Sequence, residues 1–249
     1  MKRFIRKMMW KICGLQRLQD QIDSQYYFIN KGLDITRFPK STGDLALLHE
    51  ADYWWLKIFD KICEKYNLVY WLDYGTLLGA IRHEGSIPWD DDLDVSMPSD
   101  DFKKFKSVIK SVLNQEDIQY SSSFSDEHDC CFGFGYKHEK TGVWLDVYPV
   151  YNCKEDENEL FVTDGYIEFK INENSVYPLC KHQYEHTEFN IPKDYELYLH
   201  YLYGDYMCFP RTGILHHDFG RGPLAEWHKK YNISMEDIII ELKAIFNGI

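Results

Sequence analysis

Residues 70–102 read YWLDYGTLLGAIRHEGSIPWDDDLDVSMPSDDF, and the parsing of this stretch decides the fold. From Asp92 the pattern D-L-D-V-S-M puts apolar residues at every second position, the period of a strand with one buried face. Side chains at i and i+2 share a face, so Asp92 and Asp94 project together, about 6.5 Å apart along the strand. Two carboxylates held that close repel and raise one pKa unless a cation lies between them. A set of oxygen-only ligands suits Mg²⁺ or Mn²⁺, with Asp90 as an outer ligand. Upstream, the apolar run 68–72 reads as a short strand that turns at Gly75 and Thr76 into a helix. A glycine there lets backbone approach a ligand, and the following helix N-terminus offers N–H groups to a phosphate. Arg82 could reach the same anion as a planar fork, and His83 beside it joins the substrate-binding group. A calcium loop is excluded. Asp90, Asp92, Asp94 and Asp101 fall at ligand positions, but Val95 stands where the loop requires glycine.

The run GTLLGAIRHEGSIPWDDDLDV closely resembles the signature of the LicD family, which includes the fukutin-like proteins. A second patch, FNIPKDYELYLHYLYGDYM at residues 189–207, is similar to the family's downstream motif. The resemblance spans roughly residues 44–208. It implies an α/β, nucleotidyltransferase-like fold, a small mixed sheet covered by helices. It also implies Mg²⁺-dependent transfer of a substituted phosphoryl group, of the phosphocholine type, from a CDP-alcohol to a sugar hydroxyl of a cell-surface glycan or its lipid-linked precursor. Folds of this kind place a third acidic residue on a later strand. Asp146, in W-L-D-V-Y-P, is the candidate, because a carboxylate among apolar neighbours is costly unless paired or metal-bound. The alternative is a strand-end Asp facing solvent before Pro149. Asp92, Asp94 and Asp146 are thus the expected catalytic set. Three alternatives stay open: a nucleotidyltransferase moving NMP, a D-x-D glycosyltransferase, and a non-catalytic glycan-binding relative.

Around this centre the helical stripe Leu48, Ala51, Trp55, Ile58/Phe59, Ile62 and Tyr66 predicts a helix over 45–66, stopped by Asn67. Ser99 is expected to cap a helix whose buried stripe is Phe102, Phe105, Val108/Ile109 and Val112. Strands are expected over 119–124, 131–137 and 143–147, and a hairpin over 160–171. Residues 182–191 read as one extended run. Pro192 is expected to open a helix ending at Gly204, and Ser234 to open the last one. The Gly/Pro-punctuated segment 209–223, with Arg211, His216, His217 and Arg221, reads as an anion-contacting loop or a linker.

Composition sets the outer bounds. The chain has 249 residues, 45% apolar, which fits one folded domain with a substantial core. A formal charge of −12 argues against a nucleic-acid partner. Six of the 28 basic residues lie in residues 1–19, which hold no acidic one, with Phe4, Ile5, Met8, Met9, Ile12 and Leu15 at helical spacing. Residues 1–40 therefore read as a basic amphipathic segment, either touching an anionic membrane surface or packed on the domain at 41–249. No spanning segment and no signal peptide are seen, so the expected location is cytoplasmic, peripheral at the inner membrane face. Seven cysteines without a CxxC fit reduced thiols, and Cys180, His182 and His186 match no common zinc spacing.

Overall fold

The computed structural model describes residues 21, 25, 32–124, 129–153, 158–163, 168–208 and 224–249. The expected N-terminal amphipathic helix and the segment 209–223 lie outside the described residues. So do Cys13 and most of the polar connector at 154–159.

The helix α1 (Asp44–Tyr66) forms as its periodicity predicts, with Leu48, Ala51, Trp55, Ile58, Phe59 and Ile62 buried. Asn67 ends it in the left-handed conformation (φ 52°), returning its N–H to Cys63 and Glu64 carbonyls. The strand β1 (Trp71–Leu72) leads straight into α2 (Tyr74–His83), and the acidic stretch follows as β2 (Leu93–Pro98). Next come α3 (Ser99–Val112), β3 (Ile118–Phe124), β4 (Asp129–Tyr136), α4 (His138–Thr141) and β5 (Leu145–Asn152). The hairpin β6 (Glu159–Thr163) and β7 (Glu168–Asn172), the turn α5 (Glu173–Val176), and a second hairpin of β8 (Cys180–Tyr184) and β9 (Thr187–Ile191) complete the sheets. Three helices remain: α6 (Tyr195–Tyr203), α7 (Leu224–Tyr231) and α8 (Met235–Gly248).

The main sheet is mixed, ordered β1-β2-β5-β4-β3, with β6 and β7 continuing from the far end of β5. Only β2 and β5 pair in parallel; the other neighbours are antiparallel. A parallel pair needs a long crossover, supplied here by α3, β3 and β4. The core lies between the sheet and α1. Trp55 packs on Phe134 with ring centroids 5.1 Å apart and donates its indole N–H to the Phe134 carbonyl at 3.2 Å. Phe59 meets Phe105 of α3 at 5.1 Å. On its outer side α1 carries α8. Lys61 and Lys65 donate to the Phe246 and Ile249 carbonyls, the orphan acceptors of that helix end.

Several expectations are corrected. Ser99 is the first residue of α3 rather than its cap: Pro98 precedes it and no side chain caps the helix. Residues 180–191 turn back on themselves at Glu185 (φ 51°) instead of running straight, because Glu185 N–H is held by the Glu84 carbonyl. The helix expected from Pro192 begins at Tyr195, capped by Asp194. The helix α7 was not anticipated. Its His228 is buried between the Thr141 carbonyl and Asp44, at 3.1 and 3.2 Å. That anchor lies far away in the chain, which no local pattern reveals.

Candidate active site

The site is organised by Asp73, which stands between β1 and α2 and is fully buried. As N-cap of α2 its carboxylate accepts the Tyr74 N–H at 2.7 Å. Its other oxygen accepts the Ser96 hydroxyl from β2 and the Tyr198 hydroxyl from α6, the latter at 2.7 Å. Its backbone N–H is donated to the Asp94 carbonyl at 3.1 Å. One carboxylate thus ties together the two stretches 70–102 and 189–207. Tyr198→Phe should cost about 1.5–3 kcal/mol in urea unfolding, the usual loss of a hydrogen bond to a charged group. A change below about 0.5 kcal/mol would show that the tie carries no stability.

Around this hub carboxylates gather. The parallel register pairs Asp94 with Asp146 directly across β2 and β5, so both side chains leave the same face. Asp94 Oδ2 accepts the Gly75 N–H at 3.1 Å, and Oδ1 accepts the Tyr148 hydroxyl at 3.3 Å. Its backbone N–H goes to Thr76 Oγ1 at 2.7 Å. Asp90 arrives from the loop: a Cβ added to Gly75 would lie 2.7 Å from Asp90 Oδ2 and 3.3 Å from Asp94 Oδ2. Burial, then Asp92, Asp146, Asp90 and Asp73, push the Asp94 carboxyl well above the ordinary range. Asp146 is also raised by burial, against the opposing hydrogen bonds from Trp144 and Cys131. Asp92 falls one residue before β2 and adds its charge to Asp94 from the loop.

The predicted anion-binding residues are distributed differently from their sequence spacing. Gly75 N–H and Thr76 Oγ1 are both engaged by Asp94: the first holds its carboxylate and the second accepts its backbone N–H. Arg82 is buried; its Nη1 donates to the Tyr206 carbonyl at 3.0 Å, while its Nε finds no acceptor among the described residues. Burial lowers its pKa to about 10, with Tyr203 and Asp90 opposing that shift. His83 points away toward Ile35 and Trp89, and burial followed by Arg82 lowers its pKa to about 4. It is therefore a neutral packing imidazole at physiological pH.

Other members were invisible to the spacing argument. Tyr203 is 41% exposed, yet burial and then Asp94, Asp73 and Asp90 raise its hydroxyl well above its ordinary pKa. His49 of α1 contacts the Asp90 carbonyl through Nε2 at 2.7 Å and Ser41 through Nδ1 at 2.8 Å, steadying the acidic loop. Asp52, one turn on, is buried behind that loop; burial, then Asp91 and Asp92, raise its carboxyl well above normal, and the Trp144 backbone N–H offsets this in part. Tyr203 did carry a sequence signal, its place in the second motif at 189–207, and Asp73 carried a weaker one as a polar residue wedged between an apolar strand and a helix start; His49 and Asp52 carried none.

A family model, LicD/FKTN/FKRP nucleotidyltransferase domain, matches residues 67–194, just over half of the chain. The chain belongs to this family. The LicD-family match contains Asp73, the acidic loop, β2 and Asp146, whereas His49, Asp52, Tyr198 and Tyr203 fall outside its span. Among curated relatives, the chain is 37% identical over 114 residues to the lipopolysaccharide cholinephosphotransferase LicD of Haemophilus influenzae, covering 42% of this chain and 41% of that one. It is 30% identical over 144 residues to an uncharacterized protein of Rickettsia prowazekii, covering 57% and 50%. The chain therefore spans half or less of the length of these relatives. Among solved structures, the antibiotic-resistance factor ANT(2'')-Ia aligns at a TM-score of 0.38 and 11% identity, over 79% of this chain and 91% of that one. Its complex with adenylyl-2''-tobramycin aligns at 0.36 and 13%, over 79% and 97%.

LicD-family membership supports a transferase-type role, on an α/β fold related to nucleotidyltransferases. Among the described residues no three acidic, His or Cys side chains form a ready-made metal cage, and no helix is long and apolar enough to cross a membrane. Among the described residues Cys63, Cys131 and Cys180 are not joined in disulfides.

Proposed function

We propose that this LicD-family domain transfers a substituted phosphoryl group from a CDP-alcohol to a sugar hydroxyl. The observation that carries the reading is the register that sets Asp94 beside Asp146, with Asp90 closing on the space above Gly75. A buried carboxylate surrounded by four others is unfavourable unless a cation offsets it. The residues fit Mg²⁺. That ion keeps several waters and binds through one or two carboxylates plus substrate phosphates, so no complete protein cage is required. Asp94 and Asp90, with Asp92 and Asp146 beside them, would hold it. When bound, Mg²⁺ would neutralise the donor's diphosphate and the charge developing on departing CMP.

The chain's own groups would do the rest. Gly75 N–H and the Tyr148 hydroxyl hold Asp94 in one rotamer. The buried Arg82 Nε–H, which has no acceptor among the described residues, would take a donor phosphate oxygen. Asp146 would accept the proton of the attacking hydroxyl as its oxygen bonds to the outer phosphorus and the bond to CMP breaks. The Tyr203 phenol would line the entrance. The rate gain would come from alignment and charge neutralisation. The sugar would belong to a cell-surface glycan or its lipid-linked precursor; the basic segment 1–19 would bring the domain to the inner membrane face.

The test is a panel of CDP-choline, CDP-ethanolamine, CDP-glycerol, CDP-ribitol and nucleoside triphosphates, each with and without Mg²⁺, scored by melting temperature and by CMP release in the presence of a glycan acceptor. A Mg²⁺-dependent shift with one CDP-alcohol supports the reading. Shifts with nucleoside triphosphates only would replace it by nucleotidyl transfer.

A pH dependence follows from Asp94. Its folded-state pKa is raised above the ordinary 3.8. In metal-free protein its stabilising contribution is whole below that value and is lost as pH rises through the folded-state pKa. Mg²⁺ competes with the proton and replaces it. The melting-temperature gain on adding Mg²⁺ should therefore be larger at pH 8 than at pH 5. An equal gain at both would place the ion elsewhere.

A further inference from the structure

Strand β4 carries Cys131, Gly133 and Gly135 at every second position, hence on one face. The Trp144 indole lies across the two glycines. A Cβ on Gly133 would lie 2.3 Å from Trp144 Cζ2, and one on Gly135 would lie 2.5 Å from Trp144 Cε3. The His138 ring covers the indole from the far end, centroids 4.4 Å apart. Laid flat in this way, Trp144 donates Nε1–H to Asp146 Oδ1 at 2.8 Å. The same oxygen would be 2.3 Å from a Gly133 Cβ, and Gly133 is the register partner of Asp146. Cys131, two residues along, gives Asp146 a second side-chain donor through its thiol. Backbone space, an indole N–H and a thiol therefore converge on one carboxylate.

We infer that Trp144 is a positioning residue: seated on the Gly133–Gly135 bed, its indole N–H fixes the Asp146 carboxylate in the orientation that presents it to the divalent ion and the acceptor hydroxyl. The inference rests on the proposed reading of Asp146, and it adds a residue that neither the motif nor the acidic cluster indicates. Tryptophan is suited to the task because a rigid donor on a large flat ring can be located entirely by packing. Partners that orient a metal-binding carboxylate are commonly worth 10- to 100-fold in metal affinity or activity.

Trp144→Phe keeps a flat ring and removes the N–H. The expected result is a cooperatively folded protein whose Mn²⁺ dissociation constant, read directly by loss of the free-ion EPR signal, rises by about tenfold or more. In turnover, kcat should fall by about 10- to 100-fold with the donor KM little changed. Should Trp144→Phe fail to fold, Cys131→Ala and Cys131→Ser serve instead: Ser retains a donor to Asp146 and should restore most of the Mn²⁺ affinity that Ala loses. Asp146→Asn supplies the second arm, because Trp144→Phe should cost nothing further in that background. Mn²⁺ affinity within twofold of wild type in Trp144→Phe, or full additivity with Asp146→Asn, overturns the inference. Wild-type protein that binds Mn²⁺ but releases no CMP from any donor would overturn the proposed reaction and leave the Mn²⁺ comparison intact. Wild-type protein that binds no Mn²⁺ would overturn both.

Discussion

Asp94→Asn is expected to lower transfer by roughly 10³-fold or more, the scale on which a preorganised charge-stabilising group acts. The same substitution should leave the metal-free protein as stable as wild type or more so. Asparagine keeps an oxygen for the Gly75 N–H, and the Tyr148 hydroxyl can rotate to accept from the new amide. It also removes one charge from a buried group crowded by Asp92, Asp146, Asp90 and Asp73. Activity and melting temperature should therefore move in opposite directions, as expected where a site stores unfavourable electrostatics for function. The check is CMP release per enzyme alongside a thermal melt in chelator. Near-wild-type turnover would remove Asp94 from the chemistry. A large loss of stability would mean that its charge supports the fold.

Gly75→Ala should separate the fold from the site just as sharply. Gly75 is the second residue of α2, where alanine favours the helix by roughly 1 kcal/mol. The new methyl would meet Asp90 Oδ2 at 2.7 Å and Asp94 Oδ2 at 3.3 Å. Asp90 is the end of a side chain on a loop and can swing aside at little expense to folding. The melting temperature should hold or rise, while the rate falls by about 10²-fold, because a displacement near 1 Å at a reacting centre has that effect. Gly79 is the control. A Cβ there would lie 2.4 Å from the Gly85 carbonyl, which is backbone and cannot swing aside, so Gly79→Ala should destabilise the fold itself. Wild-type turnover in Gly75→Ala would show that Asp90 does not belong to the site.

Much of this fold was legible because its elements repeat with a regular period. The stripe from Leu48 to Ile62 could only be a helix face and the alternation at 92–97 only a strand, although β2 proves buried on both faces rather than one because Asp94 and Ser96 are buried as well as Leu93 and Val95. Asp146 stood out because a charge among apolar strand residues needs a reason, and the strand register sets it directly beside Asp94. The reading failed where a role depends on a partner far along the chain. Asp73 accepts from Tyr198, 125 residues away. Arg82 donates to a carbonyl 124 residues away, which turns one N–H from the expected anion to the second motif. The hairpin at 180–191 folds back because Glu84 catches Glu185, and its own sequence carries no Gly or Pro to announce a turn.

By itself, the sequence determined the family, the helix–strand order around the acidic stretch and four of the gathered carboxylates, Asp90, Asp92, Asp94 and Asp146, but not Asp73 or Asp52, since periodicity and residue chemistry act over a few neighbours. The tertiary structure decided which of those carboxylates face one another, that Gly75 and Thr76 serve Asp94, and that a bed of two glycines seats Trp144 against Asp146. Those facts follow from strand register and from space left by absent side chains. Both quantities exist only once the parallel pairing of β2 with β5 has closed the sheet.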